Sequence, residues 1–174
     1  ADACAQATSG PLAGFAMDAK DRYELHIAGW LHDCGKITTP EWVMDKATKL
    51  SRITDRIELV EERFRCAAQA SEVQAWRTIA EQGLDGTGRD EVLAEAARTR
   101  AELAADLAFL RGCNRGSEAM RPEDQDRIHA IARHRVRTVD DHEHALLTED
   151  EVRNLCIPRG TLLPEEREII NHHI

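Results

Sequence analysis

Apolar residues recur at helical spacing along most of the chain, and no segment shows a clear strand-like alternation of apolar and polar positions. An opening helix precedes a break at Ser9-Gly10-Pro11. Tyr23, Leu25, Ile27, Ala28, Trp30 and Leu31 then predict a helix that starts at residue 18 or 21 and reaches residue 33, and their density predicts a buried one. Gly35 is expected to stop it, and Thr39 and Pro40 suit the N-cap and first position of a short helix. From Ile53 onward, Ile57, Val60, Phe64 and Ala67, followed by Trp76 and Ile79, predict one long amphipathic helix. Gly83-Leu84-Asp85-Gly86-Thr87-Gly88 reads as a turn. Leu93, Ala96, Leu103, Leu107 and Leu110 carry a second helix back, so the pair should form an antiparallel helical hairpin. Arg111-Gly112-Cys113-Asn114-Arg115-Gly116 should end it as a loop. Pro122 opens a helix with Ile128, Ile131 and Ala132 on one face. Thr148 and Glu151 make a capping box for a short helix to about Asn154, and Pro164 starts a last helix with Glu165 and Glu166 in its first turn.

Composition narrows the class. A chain of 174 residues is long enough for one domain with a core, and with aromatic residues at only 4% and few β-branched runs it reads as all-α. The net charge of −9 argues against a nucleic-acid polymer as main partner, because phosphate backbones are bound by basic surfaces. Apolar runs fall far short of the ~20 residues that cross a bilayer, so no membrane partner is expected and the location is read as cytoplasmic. Cys4, Cys34, Cys66, Cys113 and Cys156 are widely spread and odd in number, which suits reduced, small core residues better than a disulfide framework or zinc ribbon. The chain begins without methionine and stops at Asn171-His172-His173-Ile174 inside a helical pattern, so it is expected to be a piece of a longer protein.

One short stretch carries chemistry. Leu31-His32-Asp33-Cys34-Gly35-Lys36 sets an imidazole beside a carboxylate at the end of an apolar helix, a pairing that is costly to bury without a cation between the two groups. Neutral imidazole and carboxylate together suit Fe, Mn, Zn or Ni. Lys36, with Lys46 and Lys49 downstream, adds ammonium groups of the kind that hold phosphate oxygens beside a metal. The alternative for Lys46 and Lys49 is that they are ordinary solvated surface charges.

Leu31-His32-Asp33-Cys34-Gly35-Lys36-Ile37, followed by Pro40, Val43, Lys46, Lys49 and Leu50, resembles the HD-domain metal phosphohydrolases and, within them, the HD-GYP subgroup. A second match in the right order is Arg159-Gly160-Thr161-Leu162-Leu163-Pro164-Glu165-Glu166-Arg167, with Ile169, Ile170 and His173 beyond it. The resemblance implies an HD-domain-like helical bundle with His32, Asp33 and His173 as metal ligands and Asp33 able to bridge two ions. Asp33 and Lys36 would be catalytic, with Lys36 and Lys46 facing the substrate phosphate. The cofactor would be divalent metal, iron, manganese or another transition ion, and the substrate a cyclic dinucleotide or other phosphoester.

Departures from the family pattern are specific. The upstream ligand has no counterpart, and His26 is read as a core or surface histidine. The family's His-His-Glu and Gly-Tyr-Pro segment is expected beyond His173, past the last of these residues, and Asp85-Gly86-Thr87-Gly88 is a hairpin turn rather than its equivalent. His142-Glu143-His144 is not expected to bind metal, because alternate residues of a helix do not share a face. Residues 1–50 are therefore expected to form the first part of an HD domain, 51–147 a helical insertion that includes the hairpin, and 148–174 the continuation of the domain. The hairpin is a candidate surface for a homodimer. With ligands missing, weak metal binding and little activity are expected of these 174 residues. The alternatives are a non-enzymatic signalling or dimerisation module on the HD scaffold, and a nucleotide phosphohydrolase of the wider superfamily.

Overall fold

A computed structural model describes residues 2–116, 119–137 and 142–172. The molecule is mostly helical, as its sequence predicts, with one small two-stranded ribbon that it does not. Its contacts divide the chain into two compact units, one made of the residues up to Pro40 together with those from Glu168, the other of Glu41–Arg167.

In the first unit, α1 (Asp2–Ala5) is followed by α2 (Ala19–Leu31). Asp18 caps α2 through a reciprocal pair, its carboxylate accepting from the Asp21 amide at 2.8 Å while Asp21 accepts from the Asp18 amide at 3.0 Å. Two expectations fail here. No residue of α2 is buried: Tyr23, Ile27, Trp30 and Leu31 share one face by their spacing, yet that face stays open, with Trp30 and Leu31 77% and 58% exposed. Gly35 does not stop the helix: α2 ends at Leu31 with His32 as its C-cap, and Gly35 lies inside a short 3₁₀ helix, Cys34–Thr38.

The second unit is built on the hairpin. It begins with α3 (Glu41–Met44), and α4 (Ile57–Gln82) and α5 (Gly86–Asn114) then pair along their length. Glu61 meets Arg111 at 2.5 Å and Glu72 meets Arg100 at 3.1 Å, so partners advance on one helix as they retreat on the other, which fixes the antiparallel sense. Gly83 turns the chain in the left-handed region at φ +63°, and α5 already starts at Gly86, so the turn is shorter than its glycine-rich sequence suggests. Gly112 and Cys113, expected in a loop, belong to the last turn of α5.

α6 (Pro122–Arg133), the ribbon of β1 (Arg135–Arg137) and β2 (Glu143–Ala145), α7 (Glu149–Leu155) and the start of α8 (Pro164–Asn171) complete this unit. The core joins Val60, Phe64 and Ala67 of α4 and Leu110 of α5 to Leu50, Ile128, Leu146 and Leu155. The base of the hairpin therefore shares its core with the segments around it. Trp76, counted by spacing in the apolar stripe of α4, is 51% exposed. Thr148 caps α7 as predicted, with Glu151 reaching back to the Thr148 amide at 2.8 Å.

β1 and β2 are antiparallel, with Val136 opposite His144. Three-residue strands are too short for alternation to show in sequence, and their presence overturns the helical argument about His142 and His144. In extended chain, alternate residues do share a face. The two imidazole rings accordingly sit edge to face, 6.5 Å apart. Cys34 and Cys66 are exposed instead of packed in the core, while Cys4, Cys113 and Cys156 are partly buried.

Candidate functional site

The end of α2 brings His32, Asp33 and Lys36 together. His32 Nδ1 lies 2.7 Å from the Gly29 carbonyl oxygen. A carbonyl can only accept, so Nδ1 carries the proton and donates, which leaves Nε2 as the nitrogen with the free lone pair in the neutral ring. Nε2 lies 3.2 Å from Asp33 Oδ2. Two lone-pair atoms at that separation repel each other unless positive charge lies at or beside them, from a second proton on the ring, a bound cation or a neighbouring ammonium. On its other oxygen, Oδ1, Asp33 meets Lys36 Nζ at 2.6 Å. The side chains are 67%, 44% and 38% exposed for His32, Asp33 and Lys36, so the cluster is open to solutes.

This donor set fits a divalent transition ion. The ring is held in one tautomer by a backbone carbonyl, the usual outer support of a metal-bound histidine, and a carboxylate oxygen faces the free nitrogen. Two protein donors leave most of a coordination sphere to other groups, and among the described residues no third histidine, cysteine or carboxylate joins a cluster of this kind. His173, the expected downstream ligand, lies outside the described residues. Its neighbour His172 donates from Nδ1 to the Glu168 carbonyl at 2.7 Å. His26 packs its ring against Trp30 at 5.7 Å between centroids and is exposed, in keeping with a surface histidine.

Lys46 and Lys49 belong to the second unit and are neither solvated nor open. Lys46 Nζ donates to both oxygens of Glu166, at 2.9 and 2.8 Å, and to Asn154 Oδ1 at 3.0 Å, so its three protons are all engaged. Its side chain is 1% exposed and that of Glu166 is 4% exposed. This places the predicted phosphate-facing lysine in an internal ion pair. Lys49 Nζ donates to the carbonyls of Leu155 and Ile157 at 2.8 Å each, and burial pushes its ammonium below the ordinary lysine range. Asn114, which sequence reasoning missed, ties this segment down by accepting from the Leu50 amide at 2.8 Å and donating to Asp55. Its only trace in the sequence is a polar residue at the end of an apolar helical run.

Compared with protein families, curated proteins and solved structures, the chain matches none. No described helix is long and apolar enough to cross a membrane.

Proposed function

We propose that His32, Asp33 and Lys36 form the metal- and phosphate-binding part of a metal-dependent phosphohydrolase of the HD-domain type, acting on a phosphoester such as a cyclic dinucleotide. The observation that carries this reading is the tautomer of His32. With Nδ1 donating to Gly29, the free nitrogen faces Asp33 at 3.2 Å, a separation at which one cation could take a donor from each side chain. A divalent ion held there would polarise a phosphoryl oxygen and supply hydroxide near neutral pH. Asp33 contributes one oxygen on the His32 side and holds Lys36 with the other. Lys36 has two further N–H donors, enough to grip a phosphate oxygen while it stays anchored to Asp33.

The second reading, a non-enzymatic module that keeps the scaffold, is favoured by the same Asp33–Lys36 contact, because an ammonium at 2.6 Å already balances the carboxylate. Metal retention after equilibration with Mn(II) or Fe(II), and hydrolysis of cyclic di-GMP and of a chromogenic phosphodiester, separate the two when wild type is compared with the His32→Ala, Asp33→Ala double variant. Substoichiometric metal and slow turnover are expected in the wild type, with both lost in the variant. Equal metal content and equal turnover in the two proteins would overturn the enzymatic reading.

A further inference from the structure

A cavity of about 310 Å³ lies in the second unit between the α4–α5 hairpin and β1. Its apolar lining comes from Ala67 and Ala70 of α4, Leu103 of α5, Val136 of β1 and Leu146, of which Ala67, Ala70 and Leu146 are buried. At its two buried positions in this lining α4 presents only alanine, the smallest side chain that carries a Cβ. It has about twice the volume, about 150 Å³, that suffices to hold benzene in an apolar cavity. An apolar floor with a few polar groups at the mouth is the ordinary form of a small-molecule site.

Among the described residues the mouth carries an excess of one positive charge. Asp106 is held by Arg127 at 2.8 Å, and Arg137 stands 3.9 Å from Glu143 across the ribbon. Arg135 donates to the Ala132 carbonyl at 3.1 Å, a contact that leaves its charge uncompensated. Neither Arg77 nor Arg135 has a carboxylate within ion-pair distance among the described residues, and against these two guanidinium groups stands only Glu102. We infer that this cavity binds a small organic monoanion, with a single-ring or similarly sized apolar body on the Ala67–Leu146 floor and its anionic group on Arg77 and Arg135. The site is independent of the His32–Asp33 cluster and takes a different class of ligand, so either assignment can fail without the other.

Fluorine NMR with para-fluorophenylacetate and its uncharged analogue para-fluorophenylacetamide tests this on the whole chain. The acetate should bind about tenfold more tightly than the amide, the scale expected for a charge-assisted hydrogen bond. Ala70→Leu should abolish binding of both by filling the floor. Arg77→Gln and Arg135→Gln, at exposed positions that leave the fold intact by circular dichroism, should each bring the acetate toward the affinity of the amide. The arginine variants decide the matter should Ala70→Leu fail to fold. No binding at millimolar probe, equal binding of the two probes, or acetate binding unchanged by the arginine variants would overturn the assignment.

Discussion

Glu166→Gln is the sharpest perturbation of the buried lysine network. It keeps the size of the side chain and removes the charge that faces Lys46, leaving an ammonium enclosed with two amide oxygens in place of a carboxylate and an amide. Both side chains are at most 4% exposed, so water cannot take over the lost role. Breaking one side of such a buried pair costs about 3–5 kcal/mol, because the remaining charge stays desolvated. A domain holds only about 5–15 kcal/mol in total, so this is a large share of its stability. With a urea m-value of about 2 kcal/mol/M, the midpoint should fall by roughly 1.5–2.5 M. Urea unfolding followed by far-UV circular dichroism measures it. The Lys46→Met, Glu166→Leu double variant removes both charges and should lie nearer the wild type, short by about 2 kcal/mol for two lost bonds, from the Leu163 amide to Glu166 and from Lys46 to Asn154. A loss below about 1 kcal/mol in Glu166→Gln, the value typical of an exposed ion pair, would refute the reasoning and return Lys46 to the pool of free phosphate-binding groups.

Three further outcomes are expected. The Arg56 guanidinium, donating at 2.5 Å, holds the Asp150 carboxyl below its ordinary 3.8, so its stabilising contribution is intact above that value and fades as pH falls through the lower folded value. The melting-temperature gap between wild type and Asp150→Asn should be constant from neutrality to about pH 4 and shrink below it, and a gap that widens in acid contradicts this. Burial pushes the thiols of Cys113 and Cys156 up, so both should alkylate with iodoacetamide more slowly than the exposed Cys34 and Cys66, as read by peptide mass spectrometry. Gly116→Ala should destabilise by about 2 kcal/mol or more in chemical denaturation. Gly116 has φ +67°, and an added Cβ would stand 2.8 Å from the Gly160 carbonyl oxygen.

Long-period features were legible in the sequence, and long-range partners were not. The hairpin helices, the proline start of α6 and the Thr148 capping box depend on residues within a few turns of one another, and each lies close to where spacing and capping chemistry put it. Lys46 and Lys49 show the opposite case. Their partners Glu166, Asn154 and the Leu155 and Ile157 carbonyls lie more than a hundred residues away, so nothing near the lysines distinguishes a buried ammonium from a surface one. The β1–β2 ribbon was invisible because three residues per strand give too few alternations to set a period. At the His32–Asp33 pair the residue types were readable, whereas the tautomer that aims Nε2 at Asp33 rests on the Gly29 carbonyl, a main-chain group that sequence cannot display.

Titration of Mn(II) into the chain, with imidazole nitrogen resonances followed by NMR, tests the His32–Asp33 assignment most directly. Before metal, His32 should show the Nδ1–H tautomer wherever the ring is neutral. On titration its Nε2 resonance should broaden at lower Mn(II) than those of the surface histidines His26 and His129, and Asp33→Asn should remove that preference. Broadening of His32 no earlier than the other rings, or a preference that survives Asp33→Asn, would contradict a metal site at the end of α2.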